Sequence, residues 1–223
     1  MSVEESPLHE LVGDLRSRVL AAVRAEPAPT RRAAQRRNVL LLTAGAAVAL
    51  TTFLALGGFR AGDRPTRLVA VTCVGWIAAA AVALQIAFAR GRSMVGRHPA
   101  RRVALLVGAP FLLFAWKVTV TACFGVEFMA TSTDHAGYRC LGMSLGMGLA
   151  LLVVFAAARR RTDPVRPGVT GAALGMAAAI AAGSLVDAWC PYAGVTHLLL
   201  GHILPLVALA ALGALVGRRF LRV

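Results

Sequence analysis

Six apolar runs, each close to the same length, dominate the sequence from residue 39 onward. A helix needs about twenty mainly apolar residues to cross the hydrocarbon core of a bilayer. Within that core the backbone groups must satisfy one another, which a helix achieves along its own length. The runs therefore predict an all-α, polytopic membrane protein with six transmembrane helices, at residues 39–59, 68–89, 103–123, 140–158, 168–186 and 196–216.

The composition supports this class and argues against several functions. Hydrophobic residues make up 58% of the 223 residues and the mean hydropathy is +0.70, more apolar surface than one soluble core can use. The formal charge of +14 would suit nucleic acid, but the basic residues form short clusters between the apolar runs. The sequence contains no HExxH or phosphate-loop motif. We therefore expect no enzyme, no cofactor and no direct contact with nucleic acid.

The distribution of arginine predicts the orientation in the membrane. Nineteen arginines lie in the N-terminal tail, in two of the loops and in the last residues, all on one predicted side. The opposite side carries only four, Arg60, Arg64, Arg67 and Arg139. Because cytoplasmic loops carry the excess of basic residues, both termini are expected to be cytoplasmic.

Residues 1–37 form a predicted cytoplasmic tail with a basic linker, before the membrane domain at 38–223. The tail's apolar residues recur at helical spacing, which predicts one amphipathic helix that ends before Pro27 and Pro29. This apolar face could bind a groove on a helical partner or lie on the anionic surface of the lipid bilayer. It consists of Leu8, Leu11, Val12, Leu15, Val19, Leu20 and Val23.

Lys117 and Asp187 are candidates for an ion pair between two of the predicted helices. Lys117 lies well inside the third span, where a lone charge costs about 2.5 to 3.5 kcal/mol on insertion scales. Asp187 follows, at the same four-residue spacing, a stripe of small residues that favours close helix packing. The stripe consists of Gly171, Gly175, Ala179 and Gly183. We interpret Lys117 and Asp187 as an intramembrane charge pair, with outward snorkelling of Lys117 as the alternative.

Three of the four cysteines, Cys123, Cys140 and Cys190, are predicted near the outer surface, where thiols can be oxidised. Cys73 lies inside the second span and is interpreted as inert packing. A bridge between Cys140 and Cys190 would tie the fourth span to the turn between the last two. A structural disulfide and a reversible redox sensor both remain open.

Three histidines, His135, His197 and His202, are weak candidates for metal ligands. With Glu127, Asp134 and a thiolate they could hold a soft or borderline ion. However, a five-residue separation turns His197 and His202 about 140° apart on a regular α-helix. Since both could not then face one ion, we expect no metal site.

The last two thirds of the chain resemble the NrsF-type anti-sigma factors, a family of small six-helix bacterial membrane proteins. The resemblance rests on Arg139, Cys140 and Leu141 at the start of the fourth helix, and on Cys190 and Pro191 at the outer end of a glycine-rich fifth helix. It also includes the closing segment LGALVGRRFLR, residues 212–222. His197 and His202 are not features that we associate with this family.

The resemblance implies a multi-pass protein of the bacterial inner membrane that sequesters an extracytoplasmic-function sigma factor through its cytoplasmic tail. It further implies that the paired cysteines, Cys140 and Cys190, take part in sensing a signal on the outer side. Two alternatives remain. One is a redox-active or structural membrane protein with an outer disulfide, and the other is a small transporter that depends on Lys117 and Asp187.

Overall fold

The computed structural model describes residues 14–21, 31–55, 58, 65–88, 99–124, 134–160 and 166–221. Two compact units, Met1–Asn38 and Val39–Val223, are each considered by themselves. The described secondary structure is helical throughout, apart from turns and bends. Six of the described helices are long and apolar enough to cross a membrane, which confirms the predicted all-α class and the number of spans. They are α1 (Arg31–Ala55), α2 (Thr66–Phe88), α3 (Pro99–Cys123), α4 (Asp134–Arg159), α5 (Pro167–Trp189) and α6 (Val195–Phe220).

Most of these helices extend beyond the apolar runs that revealed them. Helix α4 begins at Asp134, whereas the apolar run begins at residue 140. Hydropathy detects only the part of a helix suited to hydrocarbon, while backbone hydrogen bonding continues into polar residues. The extra turns bring polar side chains such as Arg139 onto the same helix as Cys140.

Helix α5 lies at the centre of the bundle. In its most apolar window 67% of the residues are buried, against 17% to 39% in the other five spans. It packs mainly against α2, α4 and α6. Its sequence explains this position, because alanine and glycine let neighbouring helices approach from every side.

Glycines on α5 and α6 bring these two helices into backbone contact. A Cβ atom on Gly171 would lie 2.1 Å from the carbonyl oxygen of Gly213, and one on Gly175 would lie 2.0 Å from that of Leu209. A Cβ on Gly217 would meet the carbonyl of Pro167 at 2.1 Å. The small-residue stripe of α5 therefore packs inside one bundle, and we call these four glycines, Gly171, Gly175, Gly213 and Gly217, the glycine seam.

A second pair of glycines has different surroundings. Cβ atoms built on Gly142 and Gly146 of α4 would meet no atom within 4 Å. Both glycines line an open cleft of about 420 Å³ between α1 and α4, together with Gly45 of α1. The same four-residue spacing thus gives close packing in one place and open space in another.

Candidate functional site

Helix α6 is irregular near its start, and this irregularity determines where its two histidines lie. It opens with an α-helical turn, Val195–Leu198, continues as a π-helical turn, Leu199–Ile203, and returns to α-helix at Leu204. A π-turn accommodates one more residue than an α-turn, so side chains five positions apart come onto one face. The rings of His197 and His202 are 5.4 Å apart between centroids. The expectation that these histidines diverge was wrong because it assumed a regular helix.

The π-turn ends just before Pro205, and one buried hydrogen bond compensates for the proline. Pro205 has no N–H group to donate to the carbonyl of Gly201, four residues earlier. The hydroxyl of Ser144 on α4 donates to this carbonyl oxygen at 3.3 Å and is fully buried. Gly201 also allows α6 to approach α4, since a Cβ there would lie 2.8 Å from the Cβ of Cys140. Ser144 and Gly201 thus hold the π-turn against Cys140.

Two cysteines lie next to the histidines and complete a buried group. Cys140 projects from α4, and Cys190 follows the last residue of α5, with 1% of each residue exposed. The Cys140 thiol donates to the Cys190 sulfur at 3.6 Å, so the two are not joined by a disulfide. His197 Nε2 lies 3.0 Å from the Cys190 sulfur. We call Cys140, Cys190, His197 and His202 the Cys-His cluster.

The ligand atoms of the Cys-His cluster all lie within 4.8 Å of one another. The hydrogen bond from Cys140 holds the pKa of the Cys190 thiol well below its usual range, although burial acts in the opposite direction. The neighbouring imidazoles of His197 and His202 lower it further. Cys190 is therefore the more easily deprotonated thiol of the pair.

Beside the cluster, three helices meet at a buried ion pair. Lys117 Nζ of α3 forms a salt bridge with Asp187 Oδ1 of α5, and both side chains are almost completely buried. Trp76 Nε1 of α2 donates to Asp187 Oδ2 at 3.2 Å. The ammonium of Lys117 is also close enough to Cys140 and His202 to interact with them electrostatically.

Aromatic residues border the cluster. The ring of Tyr192 lies 5.5 Å from that of His197, and the guanidinium carbon of Arg139 lies 5.0 Å from the centroid of the Trp189 ring. A guanidinium over an aromatic face is an attractive cation–π arrangement. The contact between Arg139 and Trp189 links α4 to the end of α5, and the contact between Tyr192 and His197 links the turn that carries Cys190 to α6.

The remaining candidate residues lie elsewhere. His135 is exposed and is not one of the four cluster residues. Cys123 is exposed and Cys73 is half-buried. In the helical segment at residues 14–21, Leu15, Val19 and Leu20 are exposed. The other residues predicted to bind the partner, Leu8, Leu11, Val12 and Val23, lie outside the described residues.

Two residues that complete this site were not predicted from the sequence. They are Trp76, the partner of Asp187, and Ser144, the donor to the π-turn. Pro205 was the available signal, since a proline shortly after His202 marks a place where regular helical spacing need not apply. The angle of about 140° between His197 and His202, which assumes a regular α-helix, therefore does not apply to this segment.

The chain is similar to a known protein family. A family model described as negative regulator of sigma F, NrsF, matches residues 21–223. The match covers most of the chain, including all six spans and the Cys-His cluster. Neither the curated proteins nor the solved structures give a match. The chain belongs to the NrsF family, as its resemblance predicted.

Proposed function

We propose that this NrsF-family chain is a membrane-bound anti-sigma factor of the bacterial inner membrane, which holds an extracytoplasmic-function sigma factor at the cytoplasmic face. The family match over residues 21–223 carries the proposal, because the family is described as a negative regulator of a sigma factor. The six apolar helices support attachment to a membrane. Release follows a signal received at Cys140 and Cys190.

The tail supplies the contact with the sigma factor. Leu15, Val19 and Leu20 have 64%, 54% and 45% of their surfaces exposed, which is costly for apolar side chains in water. Leu15 and Val19 are four residues apart, which places them one turn apart on the same helical face. Such a face suits a hydrophobic groove on a helical protein. A negative regulator of a sigma factor has such a partner, and the bilayer surface is the alternative occupant.

The ends of α5 and α6 support an orientation for the Cys-His cluster. At the far end of α5 and α6 from the cluster, a Cβ on Gly168 would lie 3.1 Å from the Nε atom of Arg218. Arginine-rich ends of this kind are favoured on the cytoplasmic side. The cluster then faces the outer side, where a signal from the environment arrives.

The glycine seam offers a route for transmission. Because α5 and α6 are in backbone contact at Gly171, Gly175 and Gly213, we expect them to move as one unit. A change in the distance between Cys140 on α4 and Cys190 after α5 would then shift this pair of helices against α4. Movement at the cytoplasmic ends is the step that releases the sigma factor.

The spacing of the two sulfurs favours an alternative function as a redox-active membrane protein. At 3.6 Å, Cys140 and Cys190 need little movement to form a disulfide. In that reaction the two thiols lose two protons and pass two electrons to an external oxidant. Such a protein would keep its activity without residues 1–30, whereas the anti-sigma factor would not.

Co-purification tests the proposal. Each extracytoplasmic-function sigma factor of the source genome is co-expressed with the full-length protein, and with a form that lacks residues 1–30. We expect one sigma factor to be captured by the full-length protein only. Leu15→Asp and Val19→Asp should reduce capture more than about tenfold, while Ser17→Asp, in the same segment but outside the apolar face, should retain it. Absence of capture by the full-length protein would overturn the anti-sigma function, and capture without residues 1–30 would move the contact away from the tail.

A further inference from the structure

We propose that Cys140, Cys190, His197 and His202 form a binding site for a thiophilic divalent cation, with Zn²⁺ as the reference ion. The proposal names the ligand of the signal-receiving site, and its physiological meaning rests on the proposed anti-sigma function. The binding itself rests on the geometry of the four residues. It also assigns a role to the two histidines, which the anti-sigma function does not use.

The distances between the ligand atoms fit a tetrahedral metal site. In a tetrahedral zinc site with Zn–S distances near 2.3 Å, two sulfur ligands lie about 3.8 Å apart. The sulfurs of Cys140 and Cys190 are 3.6 Å apart, and His197 Nε2 lies 3.0 Å from Cys190. All four ligand atoms fall within 4.8 Å of one another. An ion at their centre therefore requires only small side-chain movements.

Buried polar atoms of the two histidines also favour a bound ion. His202 is 1% exposed, and neither of its ring nitrogens forms a hydrogen bond of good geometry among the described residues, although the ring is close enough to Cys190 to interact with that thiol. Nδ1 of the buried His197 likewise has no hydrogen-bond partner among the described residues. Burying polar atoms in this way is unfavourable unless something binds them. Coordination through one nitrogen of each ring would compensate for much of this cost.

The charge and the ligand types of the Cys-His cluster suit a thiophilic divalent cation. Two thiolates and two neutral imidazoles give a site with no net charge when a divalent cation is bound, which suits a buried position. The nearby ammonium of Lys117 is already neutralised by Asp187. Sulfur and imidazole ligands select zinc and related ions, whereas Mg²⁺ and Ca²⁺ require oxygen ligands. The cluster contains no oxygen ligand.

The backbone around the cluster brings the four ligands together. The π-turn Leu199–Ile203 brings His202 round to His197, and Ser144 fixes that turn at the carbonyl of Gly201. Cys140 reaches the pair only because Gly201 lacks a side chain. The ion would link three segments, namely α4, the residue after α5, and α6. Binding would hold them together and would also keep both thiols from forming a disulfide.

Cobalt spectroscopy on the reduced, full-length protein in detergent tests the site. Co²⁺ is the probe because thiolate and tetrahedral coordination each give characteristic absorption bands, and Zn²⁺ should displace it. We expect one Co²⁺ per chain with a thiolate charge-transfer band. His202→Ala should weaken Co²⁺ binding by more than about tenfold, whereas His135→Ala, at an exposed histidine outside the cluster, should not change it.

A second measurement avoids any variant that fails to fold. In the unaltered protein, Zn²⁺ should slow alkylation of Cys140 and Cys190 while leaving the exposed Cys123 equally reactive. No thiolate–cobalt band, equal Co²⁺ affinity in His202→Ala, or equal alkylation with and without Zn²⁺ would each overturn the metal site. Sigma-factor capture by the same preparation separates the two proposals. Capture without metal binding overturns only the metal site, and metal binding without capture overturns only the anti-sigma function.

Discussion

The two ends of the α5–α6 hairpin are built on opposite principles. At one end, the glycine seam removes side chains so that the two backbones touch, and the contact is apolar and regular. At the other end, Pro191 follows the end of α5 and a π-turn interrupts the α-helical pattern of α6. Six buried ionisable side chains come together there. These are Lys117, Cys140, Asp187, Cys190, His197 and His202. The difference teaches that one pair of helices can combine a rigid connection with a polar site whose chemistry responds to its surroundings.

The largest effect is expected from Asp187→Asn, at the polar end. Asparagine can still accept the hydrogen bond from Trp76, so the change removes mainly the charge that pairs with Lys117. Leaving one partner of a buried ion pair uncompensated costs about 3 to 5 kcal/mol. Denaturant titration of the purified protein in detergent measures this loss in the free energy of unfolding. Lys117→Met combined with Asp187→Leu should recover much of it, and a single variant as stable as the original protein would show that the pair is not buried together.

A smaller effect is expected from Gly213→Ala, in the glycine seam. The new Cβ would lie 2.3 Å from the carbonyl oxygen of Gly171, so the two backbones must separate. Overpacking of this kind typically costs about 1 to 3 kcal/mol. Gly142→Ala is the matched control, since its Cβ would meet nothing within 4 Å and alanine favours the helix. Equal stability of the two variants would mean that α5 and α6 are not in backbone contact.

The smallest effect is expected from Ser144→Ala, which leaves the carbonyl of Gly201 without its donor. A buried acceptor that loses its hydrogen bond costs about 1 to 3 kcal/mol, and we expect the lower part of this range because the π-turn can adjust. The result should also include weaker Co²⁺ binding, because the turn positions His202. Ser184→Ala is the control, since that hydroxyl donates to a carbonyl only three residues earlier in its own helix. Unchanged Co²⁺ affinity in Ser144→Ala would show that the hydrogen bond from Ser144 to the π-turn does not position His202 for metal binding.

The apolar end of this comparison was largely predictable from the sequence, and the polar end only in part. The six helices follow from the lengths of the apolar runs, and the four-residue stripe that ends at Asp187 correctly indicated a helix-facing carboxylate. The spacing of the stripe did not reveal which neighbours Asp187 faces. Gly142 and Gly146 show that the same four-residue spacing also occurs beside open space. Trp76 was missed because nothing local to its own helix indicates a partner on α5.

The relation between His197 and His202 could not be obtained from spacing alone. An angle of 100° per residue holds only for a continuous α-helix, and a single π-turn changes which residues share a face. The choice of a π-turn depends on tertiary contacts, here the hydroxyl of Ser144 and the approach of Cys140 to Gly201. Both partners are more than fifty residues away in the sequence, so no local pattern contains this information.

Control of the sigma factor by the Cys-His cluster is tested most directly by adding Zn²⁺ to the full-length protein in lipid nanodiscs. The quantity measured is release of the captured sigma factor. His202→Ala serves as the matched control, because Zn²⁺ could otherwise act on the sigma factor itself. We expect the original protein to release most of its sigma factor at Zn²⁺ concentrations at which the His202→Ala protein retains it. Equal retention or equal release by the two proteins would contradict control of the sigma factor by the Cys-His cluster.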